Sequence, residues 1–336
     1  MPKWDLGIWL FATVTSMAEV KITFLGTSSG TPTRTRNVTG QVLSFDNGVM
    51  WLLDCGEASQ HQMMKAGLRA GRIERILITH LHGDHCYGLP GMLSCMAIHE
   101  RRDPVEVVGP VGIREMIETI LRLSVSELPF PLRFTELSTD TTLERMNGWD
   151  VSAHPIGHRI PCFGYNLRET PRPGRFDLAK AKSLGIPEGP LFRQLQMGHA
   201  AQLPDGRIIA AQDVCDPPRP GRHVVLLGDT VDAAGIQHVA MNCDVLVREV
   251  TYDAGHEVKA NQWGHSTSTM TGNFAAAIKA KQVVITHFSS RYTDSDADGG
   301  VAQLIRETQA CCPGTQVHAA DDLWTFSVPF SQIESH

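Results

Sequence analysis

The sequence predicts an α/β fold whose functional residues sit in loops at strand ends. Three observations predict it. Strand–loop–helix units recur in both halves of the chain, and buried strands such as "VVLLGDT" and "QVVITHF" end in polar residues. The stretch "ILITHLHGDHCYGLPG" (76–91) packs His80, His82, Asp84 and His85 directly behind an apolar run. The bulk numbers fit a globular protein of one large domain or two modest ones: 336 residues, 42% apolar and 20% charged.

In chain order, "VKITFLG" (20–26), "QVLSF" (41–45) and "WLLDCG" (51–56) read as strands ended by glycine or turn residues. "EASQHQMMKAG" (57–67) reads as a helix with Gly67 at its end. "RILITH" (75–80) is a buried strand, followed by strand "VEVVGP" (105–110) and helix "GIREMIETILRL" (112–123). Later, "RHVVLLGDT" (222–230), "DVLVREV" (244–250) and "QVVITHF" (282–288) are strands, and "HSTSTMTGNFAAAIKA" (265–280) is a helix. The stretch 168–207 breaks the pattern. It is rich in proline, glycine and basic side chains, and reads as an inserted arm.

Residues 1–17 read as a dispensable extension before the domain at 18–330, with a cleaved or targeting segment as the alternative. No apolar run reaches the roughly 18 residues of a membrane-spanning helix, so no membrane partner is expected. The formal charge of −6 argues against a general nucleic-acid coat but leaves room for a local basic patch. Eight cysteines without regular spacing read as free thiols in a reducing compartment.

Imidazole and carboxylate side chains suit zinc, and HxHxDH can serve two ions: the first two histidines one, Asp84 and His85 the other. Further ligands must come from distant sequence. The candidates are His158 in "PIGHRIPCFGY", Asp229 in "LLGDT" and His287 in "ITHFSSRY", with His154 a rival to His158. Cys86 beside the motif reads as wall packing. Asp321–Asp322 reads as a solvated turn, and Glu57 as either a site contact or a helix-start acid.

With these residues in view, the chain resembles the metallo-β-lactamase superfamily, and within it the short form of tRNase Z. The motifs that carry the resemblance are "FLGTSSGTPTRTRN", "DCGEASQHQ", "THLHGDHCYGLPG", "GPVG", "HRIPCFGY", "LGIPEGPLFRQL", "LLGDT", "GHSTSTM" and "THFSSRY". The resemblance implies a four-layer αβ/βα sandwich with an inserted flexible arm. It implies two zinc ions per subunit, with Mn2+ or Mg2+ as substitutes. One ion would be held by His80, His82 and His158 and the other by Asp84, His85 and His287, with Asp229 bridging. It implies endonucleolytic removal of 3′ trailers from precursor tRNA, with Asp84 orienting and deprotonating the attacking water. The arm would grip tRNA through Arg172, Arg175, Lys180, Lys182, Gly189, Pro190 and Arg193, and "PTRTRN", with Arg34 and Arg36, would sense the tRNA 3′ region. A homodimer in the cytoplasm is implied, with nucleus or organelle as alternatives.

One departure stands out. The family has His-Glu-Ala-Thr where this chain has "REVT" (248–251). Arginine cannot replace a histidine acid, because its pKa exceeds about 12. Arg248 is therefore expected either to stabilise the leaving oxygen or to yield that task to another donor such as His265. Two alternatives stay open: another hydrolase on the same scaffold, such as a phosphodiesterase or arylsulfatase, or a weakly active RNA-binding homologue.

Overall fold

The computed structural model describes residues 19–293 and 299–330. In chain order the strands are β1 (Lys21–Gly26), β2 (Gly40–Ser44), β3 (Met50–Cys55), β4 (Ile73–Leu77), β5 (Val105–Pro110), β6 (Leu132–Leu137), β7 (Thr141–Thr142), β8 (Trp149–Ile156), β9 (Cys162–Glu169), β10 (Ala201–Gln202), β11 (Ile208–Ile209), β12 (His223–Leu227), β13 (Val245–Glu249), β14 (Gln282–Thr286), β15 (Gln316–Ala319) and β16 (Thr325–Ser327). The helices are α1 (Ser59–Lys65), α2 (Gly83–Cys86), α3 (Leu89–Ile98), α4 (Ile113–Leu123), α5 (Leu178–Ser183), α6 (Pro190–Gln196), α7 (Ala234–Ala240), α8 (Glu257–Trp263), α9 (Ser268–Ala277) and α10 (Val301–Cys311).

Two seven-stranded sheets form the body, in the orders β16-β1-β2-β3-β4-β5-β6 and β15-β14-β13-β12-β9-β8-β7. Each joins an antiparallel part to a parallel part, β3 to β6 in one and β12 to β15 in the other. Three apolar clusters set the layers. Phe24, Trp51, Trp149, Tyr165, Val224 and Val247 interleave between the sheets. Met63, Leu93 and Ile117 of α1, α3 and α4 cover the outer face of the first sheet. Ile236, Ala275 and Leu304 of α7, α9 and α10 cover the second. Helix–sheet–sheet–helix is the expected four-layer sandwich. All eight cysteines are free, and no helix among the described residues is long and apolar enough to cross a membrane. Residues 1–17 lie outside the described residues.

The two halves are fastened where the functional loops meet. Phe163 N donates to Thr79 O at 2.9 Å, and Tyr165 Oη donates to Ile78 O at 2.7 Å. Gly228 makes that closeness possible, since a Cβ there would lie 2.5 Å from Thr79 Cβ.

The chain between β9 and β12 is longer and better organised than the 168–207 expectation. It holds α5, α6 and the β10–β11 pair around its own small core of Ala181, Ile186, Leu195, Leu203, Ile209 and Val214. Its root is an ion cluster. Glu169 accepts from Arg172 and from Arg222, the latter at 2.8 Å, and both guanidinium groups stack on Phe330, at 4.3 and 4.5 Å.

The pair read as a solvated turn is also structural. Asp322 accepts from Thr27 Oγ1 at 2.8 Å and from Asn37 N at 2.6 Å, pinning the loop after β1.

Candidate metal centre

The candidate ligands sit at or just beyond the ends of strands, where polar side chains can leave the sheet without breaking its ladder. His80 and His82 follow β4, Asp84 and His85 ride on α2, His158 follows β8, Asp229 follows β12 and His287 follows β14. The left-handed conformations of Asp54 and His287, φ 54° and 60°, mark the same region as strained.

Seven side chains from both halves converge. His82 Nδ1 lies 3.1 Å from His80 Nε2 and 3.2 Å from His158 Nε2. His287 Nε2 lies 3.2 Å from His85 Nε2 and 3.3 Å from Asp84 Oδ2. Asp229 Oδ2 stands between the two groups, 3.7 Å from His80 Nε2 and 3.4 Å from both His85 and His287.

The outward nitrogens explain why the inward ones face each other. His85 Nδ1 donates to Asp54 Oδ2 at 2.8 Å. His158 Nδ1 donates to Gly264 O at 2.7 Å. Thr79 Oγ1 spends its own hydrogen on Asp54 (2.9 Å) and so accepts from His80 Nδ1 at 3.0 Å. Thr251 Oγ1 hydrogen-bonds a Glu249 carboxylate oxygen and accepts from His287 Nδ1 at 3.0 Å. Four imidazoles are thereby fixed as tautomers whose lone pairs point at one another. Such an arrangement is repulsive unless a cation sits between the nitrogens. Ligand separations near 3.2 Å also match the edge of a tetrahedron with Zn–N bonds of about 2.0–2.1 Å. The donor set therefore fits one or two divalent ions.

Electrostatics set His85 apart: burial opposes charge on it, yet Asp229, Asp84 and Asp54 raise its pKa well above the ordinary range, the negative field a bound cation would answer in place of the proton. Burial, with neighbouring imidazoles, keeps the pKa values of His80, His82 and His158 below the ordinary range, so they are neutral donors. Burial opposes ionisation of Asp84 and Asp229, but nearby histidines outweigh it and hold both carboxyls low. Asp84 is fixed further by Gly30 N, which donates to Oδ2 at 2.8 Å.

Beside this cluster lies a pair of which the sequence made only His265 a candidate. His265 Nδ1 is 3.1 Å from Glu249 Oε2 and 3.6 Å from Asp229 Oδ2. Burial disfavours charge on His265, yet the Glu249 carboxylate pushes its pKa up to about 9. His265 thus carries a proton at neutral pH. Glu249 is no sequence candidate, since the departure from the family motif lies at its neighbour Arg248. The signal was present: an acid at the last position of a buried strand.

Arg248 corrects an expectation. Successive strand residues face opposite ways, and where Glu249 turns to the site Arg248 turns to the helices. It is 2% exposed, lies 4.7 Å over the Phe274 ring and donates from Nη2 to Ser266 Oγ at 2.9 Å. A guanidinium packed this way has no access to a leaving oxygen. Arg36 is a second correction. It is buried, donates from Nη1 to Thr27 Oγ1 at 2.6 Å and stacks 5.1 Å over Phe288, so it braces the loop. Arg172 is a third, committed to the ion cluster at the arm's root.

The remaining expected contacts are exposed: Arg34, Arg175, Lys180, Lys182 and Arg193, with Lys182 paired to Glu188 at 2.9 Å. Gly189 and Pro190 open α6 on the same segment. His154 sits away from the cluster, held by Asp140 at 3.0 Å and Ser152 at 2.9 Å. Cys86 is buried against His82 O, and Glu57 is exposed ahead of α1.

The fold and this site define the class: a metallo-β-lactamase-fold protein with a histidine/aspartate centre. A structure of human short-form tRNase Z is 30% identical, with a TM-score of 0.66, covering 92% of this chain and all of the other. The Bacillus subtilis metallo-β-lactamase fold protein YhfI matches in fold, with a TM-score of 0.65 at 14% identity, over 93% of this chain and all of the other. The family model described as Anti-Pycsar protein Apyc1 matches residues 20–146.

Ribonuclease BN of Cronobacter sakazakii is 41% identical over 311 residues, 92% of this chain and all of the relative. Ribonuclease Z of Crocosphaera subtropica is 40% identical over 92% of this chain and 98% of the relative. The chain belongs to the ribonuclease Z/BN family.

Proposed function

We propose that the protein is a zinc-dependent endoribonuclease that removes 3′ trailers from precursor tRNA, leaving a 3′-hydroxyl on the tRNA and a 5′-phosphate on the trailer. The observation that carries this reading is the set of four imidazoles locked in outward-donating tautomers around Asp84 and Asp229, in a chain with ribonuclease Z/BN relatives.

His80, His82 and His158 would hold one zinc ion and Asp84, His85 and His287 the other, with Asp229 shared. Bound ions would acidify water and neutralise charge on the phosphoryl oxygens. The chain's own residues do the rest. Asp84 orients the attacking water and takes its proton. Water oxygen bonds to phosphorus as the bond from phosphorus to the ribose 3′ oxygen breaks. His265, its Nδ1 held by Glu249, delivers the Nε2 proton to that oxygen. The exposed cations Arg175, Lys180, Lys182 and Arg193, with Gly189 and Pro190 shaping the segment, and Arg34 near the site contact tRNA phosphates.

We place the protein in the cytoplasm as a homodimer. A hollow lined by His61, Met63, Met64, Leu68, Arg69 and Arg72, with Met64 exposed, offers such a dimer a surface.

The deciding experiment is incubation with one end-labelled precursor tRNA, with and without chelator, mapping the cut to the nucleotide. A metal-dependent cut at the trailer junction is expected; no RNA cleavage by metal-loaded protein would overturn the reading. The alternative raised by the sequence is another hydrolase on the same scaffold, acting on small phosphodiesters. Turnover of bis(p-nitrophenyl) phosphate with no action on RNA would select it.

A further inference from the structure

Helix α8 ends two residues before His265, and its last residue, Trp263, is aromatic. Trp263 is 42% exposed. The Arg159 guanidinium, itself exposed, stacks 4.9 Å from its ring centroid. Both residues are tied to the centre by the chain. Arg159 follows His158, and Trp263 is separated from His265 only by Gly264, whose carbonyl accepts from His158 Nδ1 at 2.7 Å.

Gly264 sets this geometry. It closes α8 in the left-handed conformation, φ 76°, and a Cβ there would lie 2.9 Å from His158 Nδ1 and 3.1 Å from Arg159 Cγ. Only glycine lets the helix end lie this close to the His158–Arg159 backbone. The backbone that carries the indole is therefore fixed beside His158 and runs directly on to His265.

Lys259 lies one turn before Trp263 on the same face of α8. Its ammonium and the Arg291 guanidinium flank Tyr252 at 5.5 and 5.4 Å. The rim thus offers one exposed aromatic face stacked by Arg159, with two further cations over Tyr252, whose ring lies 6.2 Å from that of His265. That combination recognises a single-stranded nucleotide, the base by stacking and the phosphates by charge.

We infer that Trp263 and Arg159 form a stacking platform for the base of the last nucleotide kept on the RNA, the one whose 3′ oxygen leaves phosphorus. This rests on the proposed function. The side is assigned because His265, the proton donor to that oxygen, is two residues from Trp263.

The test uses metal-loaded full chain and three precursor tRNAs: intact, abasic at the last retained nucleotide, and abasic at the first trailer nucleotide. With wild type, loss of the retained base should raise KM about 5- to 150-fold, the range of one base–aromatic stack. Trp263→Ala should raise KM for intact RNA by a similar factor and abolish the response to base removal. Trp263→Phe should restore both, which separates stacking from a structural defect. Metal content should match wild type in each variant. Arg159→Ala should show a smaller KM rise in the same direction.

An unchanged KM in Trp263→Ala, or an undiminished response to base removal in that variant, would overturn the platform. A response confined to the trailer nucleotide would overturn its assigned side. Failure of wild type to cut intact RNA would instead sink the proposed function, and the platform with it.

Discussion

His265 Nδ1 and Glu249 Oε2 stand 3.1 Å apart at the edge of the histidine/aspartate cluster, with Glu249 only 2% exposed. A buried carboxylate holds the imidazole proton in place and fixes which nitrogen faces outward. If this pair protonates the leaving oxygen, His265→Ala should lower kcat on precursor tRNA about 10²- to 10⁴-fold with little change in KM. Glu249→Gln should fall on the same side by a smaller factor. Single-turnover cleavage measures both; an equal loss in KM would assign His265 to binding.

Arg248 gives the contrasting prediction. Its Nε and Nη1 are buried without partners, and burial lowers its pKa to about 10 despite Glu249. Unpaired buried donors are unfavourable. Arg248→Met should therefore fold with a melting temperature within a few degrees of wild type and lose less than about tenfold in kcat. Arg248→His should not raise turnover, because that position faces α9. A large gain would show that the side chain reaches the substrate after all.

Metal removal should destabilise the junction of the two halves. Elemental analysis should find two zinc ions per chain, falling by half or more in Asp229→Ala. Excess chelator should lower the melting temperature, and zinc at about a thousandfold over its Kd should restore about 4 kcal/mol. A melting temperature indifferent to chelator would contradict a site that draws on both sheets.

His223 governs an acid response. Burial, with Arg168 nearby, lowers its pKa to about 4, and Nε2 donates to Asn166 Oδ1 at 2.6 Å. The unfolded chain takes up this proton near pH 6.5 and the folded chain only near 4. Stability from this residue is thus intact above about pH 6.5, declines as pH falls, and is gone below 4, a change of about 3 kcal/mol. His223→Gln should flatten that slope in urea titrations between pH 6.5 and 4; an unaltered slope would place the sensitivity elsewhere.

Charge reversal on the arm should act on binding. Arg175→Glu, Lys180→Glu and Arg193→Glu together should raise KM and reduce the log–log salt dependence by about 2 to 3. Equal salt slopes would mean that the arm does not touch phosphates.

The sandwich was legible in the sequence because apolar runs such as Val224–Leu227 and Val283–Ile285 end in residues that cannot stay in a core. The HxHxDH cluster was legible for the same reason. Strand β16 was not, since three residues recruited to β1 across the whole chain leave no local periodicity. Nor was the direction of Arg248: composition names a charged residue in a strand but not the face it takes. Glu249 has no local pattern that marks it beyond its place at a strand end, and Arg36 is held by Phe288 and Thr27, residues whose closeness only the fold determines. The helix expected from His265 begins only at Ser268, because Thr267 caps it and leaves His265 free for the site.

His85 and His287 touch across 202 positions of chain. At typical synthesis speeds of about 5–20 residues per second, the first histidines leave the ribosome some ten to forty seconds before their last partner exists. A chain still short of β14 accordingly lacks His287, so the seven side chains can converge only once the last strands have been made.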